Sequence, residues 1–318
     1  MKKKIITLSL ALLILFALTA CGKTSNTPAS SAPVQTAGPD APVITEDRQG
    51  NPITLPEKIE TIMTFGPSNA DVLSGLGVAD KIIAVDTYTF NVEGLADDLP
   101  KFEMSDPDVE QIISMKPDII IVTGMAQVRE EDPYKLIRDA GICVIYVPSS
   151  ESIEAIKVDI RYLAAVTGTG DKGEELIEDM EQRIAAIETI GNTIAETKSV
   201  YFEISAAPYM YSFGSGTFLN EMIEIIGATN VFADQQSWMS VADEAILDLN
   251  PDVILTSVNY GVGDPTDEIK ARPGWDAITA VQNDAVHYIN TDASNRPCQN
   301  VVIALEEMAR AIYPEFYS

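Results

Sequence analysis

Short apolar runs of strand length alternate with stretches of helical period along most of this chain. IETIMTF, KIIAVDT, DIIIVTG and CVIYVP are separated by segments such as DVEQIISM and DPYKLIRDA, whose apolar residues recur every three or four positions. Alternation of this kind predicts a sheet with helices on both faces. The scheme returns further on, with SVYFEIS, DVILTS and AVHYIN as strands and FLNEMIEII, ADEAILDL and VVIALEEMARAI as helices. Two α/β lobes are therefore expected, over residues 43–165 and 197–318. The first is led by a small hairpin, VITEDRQGNPITL, that alternates around a Gln-Gly-Asn turn.

Residues 166–196 form the predicted connection. ESIEAIKVDIRYLAAV leads into it with Ile153, Ile156, Ile160, Leu163 and Ala164 on one helical face, and GEELIEDMEQRIAAIETI continues with Leu176, Ile177, Met180, Ile184 and Ile187. The second stretch runs from Gly173 to Ile190 without a glycine or proline break, so a stiff strut and small opening motions are expected. GTGDKG, residues 168–173, matches the dinucleotide pattern G-x-G-x-x-G literally. That motif needs a preceding strand, and this one follows a helix, so it reads as a helix stop and a helix start.

One phrase occurs twice. VEQIISMKPDIIIVTG at 109–124 returns as DEAILDLNPDVILTS at 243–257, with Glu110, Ile112, Pro117 and Asp118 over Glu244, Ile246, Pro251 and Asp252 without a gap. Each copy reads as a helix start, an apolar stripe, a Pro-Asp stop and a buried strand. In the first, Asp106 is the expected N-cap with Pro107 at the first helical position. In the second, Ser240 caps and Asp243 closes a capping box. Both glutamates then fall at the fourth helical position, and the caps leave them free. A carboxylate in a first turn suits the helix dipole anyway, but two in register in two lobes point to a shared task.

The start of the chain differs from the rest. Met1-Lys2-Lys3-Lys4 and the apolar stretch Ile5 to Ala17 have the layout of a signal peptide, residues 1–20, too short for a transmembrane span. Leu18-Thr19-Ala20-Cys21 resembles a bacterial lipobox, which implies lipidation of Cys21. Residues 21–42 are rich in Ser, Thr, Pro, Ala and Gly and read as a flexible tether. Lipid anchoring at the outer face of the cell membrane is the expected location. The formal charge of −27 becomes −30 when the three signal lysines are removed, which argues against nucleic-acid binding. Of the three cysteines, Cys143 and Cys298 fall in different halves, and no disulfide is expected.

The lipobox, the hairpin, the repeated E-x-I-[IL]-x-[ML]-[KN]-P-D-[IV] phrase, PYMYSFGSGTFLNEMIEIIGATNVFAD, RPGWDAITAVQNDAVHYI and LEEMARAIYPE together resemble the cobalamin and ferric-siderophore class of ABC-transporter substrate-binding proteins. The resemblance runs from about residue 43 to the end. It implies the class III substrate-binding fold: two Rossmann-like lobes joined by one long rigid helix. It also implies a monomer that captures a small ligand between its lobes and docks on a permease dimer served by ATPase subunits. Glu110 and Glu244 match the family's docking glutamates, and two equivalent basic pockets on a dimeric permease explain an acidic device used twice.

The ligand would lie among loops at strand ends. The candidates are Ser68, Asn69, Tyr88, Phe90, Met104 and the Gly124-Met125 loop in the first lobe, with Tyr209, Tyr211, Trp238, Tyr260 and Arg296 in the second. Aromatic loops suit a large, flat or partly apolar ligand. Presumed cobalamin binders look most similar, through SGTFLNEMIE, RPGWDAI and SNRPCQNVVIALEE. Where they usually carry R-P-G-P-R, this chain has Arg296-Pro297-Cys298-Gln299-Asn300, and loss of the second arginine favours a less anionic ligand such as a corrinoid. Haem or a ferric siderophore is the alternative; Met104 stands where a haem-binding relative has an axial methionine. The single histidine, His287, lies in a strand and argues against a bare zinc or manganese carrier. No cofactor is called for. An enzyme is disfavoured, because Glu110 and Glu244 lie on different lobes and no G-x-S-x-G elbow occurs. A surface receptor without a transport role would not need both glutamates.

Overall fold

The computed structural model describes residues 44–124, 132–259 and 263–317. In the first lobe β1 (Ile62–Phe65), β2 (Ile82–Asp86), β3 (Lys101–Phe102), β4 (Ile119–Thr123) and β5 (Cys143–Val147) form one sheet in the order β3-β2-β1-β4-β5. All its pairings are parallel. Every residue of β1 and β4 is buried, which is why these strands read as unbroken apolar runs. Helices α1 (Pro67–Gly75), α2 (Val109–Met115) and α3 (Lys135–Asp139) connect the strands.

Between β5 and β6 the chain forms two helices, where one connecting helix was expected. Ser152 caps α4 (Ile153–Thr167), and its chain ends at Gly168 in the left-handed region, φ 70°. After Thr169 comes α5 (Gly170–Gly191), 22 residues long. GTGDKG is thus a stop and a start. Pairing of Arg161 with Glu174 and of Lys157 with Glu181 shows that α4 and α5 run antiparallel. They touch closely at Gly173, where a Cβ would lie 2.6 Å from that of Ala164.

The second lobe contains β6 (Ser199–Glu203), β7 (Tyr211–Phe213), α6 (Phe218–Ile225), β8 (Thr229–Asn230), β9 (Trp238–Ser240), α7 (Asp243–Leu249) and β10 (Val253–Thr256). It continues with α8 (Pro265–Lys270), α9 (Thr279–Gln282), β11 (Val286–Tyr288), α10 (Thr291–Asn295) and α11 (Val301–Ile312). Four strands make a parallel sheet, β11-β10-β6-β8, and β7 with β9 forms a separate antiparallel ribbon.

Alternation along each strand divides the apolar residues. Met63, Ile120 and Val122 face an outer cluster with Ile112 and Tyr134, and Tyr201 and Ile254 face another with Ile246 and Trp275. The inner faces meet in one continuous core: Ile62, Ile119 and Ile121 from one lobe, Val200, Phe202 and Leu255 from the other, with Ile160, Leu163, Ile177, Met180, Leu305 and Met308 between them.

The predicted hairpin reduces to a single bridge, Glu46 to Pro52, around a turn held by Asp47, whose carboxylate accepts from the amides of Gln49, Asn51 and Tyr146. Cys143 and Cys298 are free thiols.

The repeated phrase folds into two matching brackets, and the caps differ from expectation. Asp108 rather than Asp106 caps α2, accepting from the Gln111 amide at 2.9 Å. At α7 the N-cap is Ala242 with no side-chain bond, because Ser240 pairs with Tyr211 in the ribbon and is held extended. Glu110 and Glu244 therefore stand at the second helical position, not the fourth, still in register and both exposed. Each helix ends on a left-handed non-glycine residue, Lys116 at φ 50° and Asn250 at φ 45°. The aspartates then reach sideways. Asp118 accepts from the amides of Glu60 and Thr61 and from the Thr61 hydroxyl, and Asp252 accepts from the Ser199 amide and hydroxyl. Each clasps the start of the neighbouring central strand.

Replacing Asp118 by Ala should cost about 0.5–1.5 kcal/mol, since it removes the acceptor of two backbone amides that water can partly replace, and Asp252→Ala, which removes the acceptor of one amide and one hydroxyl, should cost a similar amount; urea unfolding measures both. Hydrogen bonds, that from the Glu60 amide foremost, lower the Asp118 carboxyl below its ordinary 3.8. Its stabilisation is thus present above that value and lost as pH falls through and below it. The gap between wild type and Asp118→Ala should be full at neutral pH and shrink towards pH 3.

Candidate functional site

In both parallel sheets the carboxyl ends of the strands carry the loops on which sequence reasoning placed the ligand. The first-lobe loops are organised by a residue that reasoning missed. Asp86, fully buried at the end of β2, accepts from the Gly66 amide at 2.7 Å, the Tyr88 amide at 2.7 Å and the Thr89 hydroxyl at 2.6 Å. It ties the turn bearing Ser68 and Asn69 to the loop bearing Tyr88 and Phe90. An aspartate closing the apolar run IIAVD was the available signal. Gly66, at φ 131°, could not be another residue: a Cβ there would lie 2.9 Å from that of Thr123.

Ser68 is half-buried and Asn69 buried, with the Asn69 amide nitrogen enclosed and without a partner. Tyr88 and Phe90 are exposed by 56% and 53%. Lys101 sits 4.2 Å above the Phe90 ring and donates to the Thr89 carbonyl. Met104 packs partly into the outer core of its lobe, and its carbonyl accepts from the Tyr134 hydroxyl. In the second lobe Tyr209 and Tyr211 are exposed by 84% and 38%. Trp238, expected on a loop, lies in β9 instead and packs edge-on against Phe213 and Phe218 at 5.8 and 6.0 Å, so only part of it reaches the surface. Tyr260, Met125 and Cys21 lie outside the described residues.

Arg296 is held by carboxylates of both lobes. It is only 8% exposed, and its two amino groups lie 3.1 Å from Asp71 of α1 and 2.7 Å from Asp292 of α10. Asp71 belongs to the first lobe, so this pair crosses between lobes. Gln299 donates to the Asp71 carbonyl at 2.7 Å, and Asn91 donates to Asp292 at 3.1 Å. A further link joins the Glu221 carboxylate to the Ile153 amide at the start of α4. Arg296 is thus part of the tie between lobes, a role its sequence position alone did not disclose.

A second buried ionic group closes the end of β6. Arg272 reaches Glu203 at 2.6 Å and Glu268 at 2.6 Å, with its guanidinium 4.6 Å over the Trp275 ring. Burial pushes the Glu203 carboxyl up, against the pull of Arg272. Beside it lies a cavity of 190 Å³ lined by Glu203, Ala206, Thr256 and Pro265, at the carboxyl ends of β6 and β10. A groove of 710 Å³ along α5, lined by Ser74, Glu93, Lys172 and Arg183, carries no aromatic residue and is the weaker place for an apolar ligand. His287 in β11 is half-buried, and burial lowers its basicity. Among the described residues no group of three or more His, Cys, Asp or Glu could hold a metal ion, and no helix is long and apolar enough to cross a membrane.

The description of the periplasmic binding protein family matches residues 62–293 of this chain. An uncharacterised ABC transporter substrate-binding lipoprotein of Bacillus subtilis, YvrC, is 32% identical over the whole of this chain and 99% of its own. A cobalamin-binding protein of Halobacterium salinarum is 26% identical over 86% of this chain and 74% of its own. Among solved structures, a possible iron-binding, periplasmic solute-binding protein of Staphylococcus epidermidis superposes with a TM-score of 0.71 at 27% identity, over 81% of this chain and all of its own. The chain belongs to the periplasmic binding protein family, with that family's two-lobed α/β fold. It is a binding protein and not an enzyme.

Burial pushes the Asp71 carboxyl up to about 6, against the pull of Arg296. Since this lies above its ordinary 3.8, Asp71 adds most to stability below that value, and the contribution is lost as pH rises through about 6. The difference in urea midpoint between wild type and Asp71→Asn should therefore change between pH 4 and pH 7. A flat difference would remove the burial argument.

Proposed function

We propose that this protein captures a corrinoid between its lobes and delivers it to the permease of an ABC importer, anchored outside the cell membrane by a lipid on Cys21. The observation that carries this reading is the pair of matched brackets: α2 with β4 and α7 with β10 present Glu110 and Glu244 at the same helical position, exposed, one on each lobe. Neither carboxylate caps its helix. A two-fold symmetric permease offers the same basic pocket twice, and that is the partner such a pair fits. ATP hydrolysis falls to separate subunits.

A corrinoid is supported by the exposed aromatic rings of Tyr88, Phe90, Tyr209 and Tyr211, which suit a large, partly apolar ligand, and by the cobalamin-binding name of one relative. Lipid anchoring is supported by Leu18-Thr19-Ala20-Cys21 and by the lipoprotein name of another. A haem or ferric-siderophore ligand is the second reading, favoured by the iron-binding description of the Staphylococcus epidermidis structure.

Replacing both Glu110 and Glu244 by Ala should abolish uptake and leave ligand affinity unchanged, with permease docking weakened on the order of thirtyfold or more for each glutamate removed. Uptake preserved in the double variant would sink the docking role. Calorimetric titration of the soluble protein with cyanocobalamin, cobinamide, haemin and ferric siderophores should give saturable one-to-one binding of a corrinoid. Tight binding of haemin or a ferric chelate alone would replace the ligand but keep the docking argument.

A further inference from the structure

We propose that the cleft selects its ligand by the sign of its charge, accepting neutral or cationic ligands and disfavouring anionic ones, and that Asp71 sets this preference by withholding Arg296. The inference rests on the reading of the cleft as the ligand site.

The cations at the carboxyl ends of the strands, among the described residues, are all engaged. Arg296 lies between Asp71 and Asp292, and Arg272 between Glu203 and Glu268. Each arginine thus has two carboxylates, so each group carries a surplus negative charge. Lys101 donates to the Thr89 carbonyl over the Phe90 ring and keeps its single positive charge, which the two surplus carboxylates outnumber, and Arg48, beside β5, pairs with Asp159. Asp86 meets only backbone and hydroxyl donors at the bonds it makes to Gly66, Tyr88 and Thr89, and offers an incoming ligand no cation.

A carboxylate brought into this cleft meets an excess of its own sign at short range and finds neither arginine ready to pair with it. A cation meets the same excess with the favourable sign, together with exposed aromatic faces at Tyr88, Phe90, Tyr209 and Tyr211. The lever is Asp71. Arg296 would need only the loss of that one partner to regain a free amino group, whereas Arg272 keeps two carboxylates, one of them fully buried. Asp71 is held up to about 6, so above that pH it is largely ionised and the tie to Arg296 is charged.

The test is titration at pH 7.5 with two matched ligand series. The first is cyanocobalamin against its monocarboxylate, in which one amide has become an acid. The second is ferrioxamine B, with a pendant ammonium group, against its succinylated derivative, in which a carboxylate replaces that charge. In whichever series binds, the anionic member should be weaker by on the order of tenfold. Asp71→Asn should bring the ratio towards one, and adding Arg296→Gln to it should restore the wild-type ratio, an outcome that a merely structural loss would not produce. An anionic member that binds as tightly as its parent overturns the filter, as does a ratio unmoved by Asp71→Asn. Should that variant fail to fold, the ratio in wild type still decides. If neither parent binds, the ligand-class reading fails and the filter falls with it, a result distinct from binding in the wrong order.

Discussion

The inner faces of both sheets, together with α1, α4, α5, α6 and α11, belong to a single apolar core, and its burial governs the rest of the molecule. Ile119 and Ile121 on one side and Val200 and Phe202 on the other reach the same cluster through α4, α5 and α11. Separating the lobes would expose that cluster to water, at about 25 cal/mol for each Å² uncovered. Rigid links therefore suit this fold. The antiparallel α4 and α5 fit closely enough that Gly173 has no room for a Cβ, and Gly191 at the far end of α5 would place one 2.3 Å from the Ile225 carbonyl oxygen. The polar ties, Arg296 to Asp71 and Glu221 to the Ile153 amide, add direction to a contact whose strength comes from apolar burial.

Rigidity has a consequence for binding. A binding protein whose lobes are already held needs little ordering when a ligand arrives, so less affinity is lost to fixing loops. Asp86 serves the same end locally, since one buried carboxylate fixes the turn after β1 and the loop after β2 together. The outer faces are free to do something else. There α2 and α7 pack through Ile112 and Ile246 on the outer clusters, and their first turns face solvent with Glu110 and Glu244. The aspartates that follow, Asp118 and Asp252, bind each bracket to the strand at the centre of its sheet. An exposed carboxylate on such a bracket is carried by the sheet rather than by a loop.

Strand and helix positions were readable because parallel strands buried on both faces give unbroken apolar runs and the helices between them keep their period. GTGDKG was readable as punctuation because its context, helix before and helix after, excluded the alternative. The caps were misread for a physical reason: Ser240 is a good N-cap in isolation, but pairing with Tyr211 holds it in a strand, and a long-range contact overrides a local preference. The same ribbon moved Trp238 from an open loop to the edge of the core. The pairing of Arg296 with Asp71 was not readable, because the partner lies 225 residues away in sequence and no local pattern reveals it. Asp86 was passed over inside an apolar run, where a lone acid is the sign of a buried hydrogen-bonding centre.

The claim that the lobes form one body can be tested without knowing the ligand. Hydrogen exchange across a urea series should be followed in peptides from β1 and β4 and, in the same samples, from β6 and β10. A shared core predicts that both sheets lose protection together, at one urea concentration and with one free energy of opening. Loss of protection in one sheet while the other stays closed would contradict it, and would mean that the lobes are separate bodies whose cleft is not built in advance.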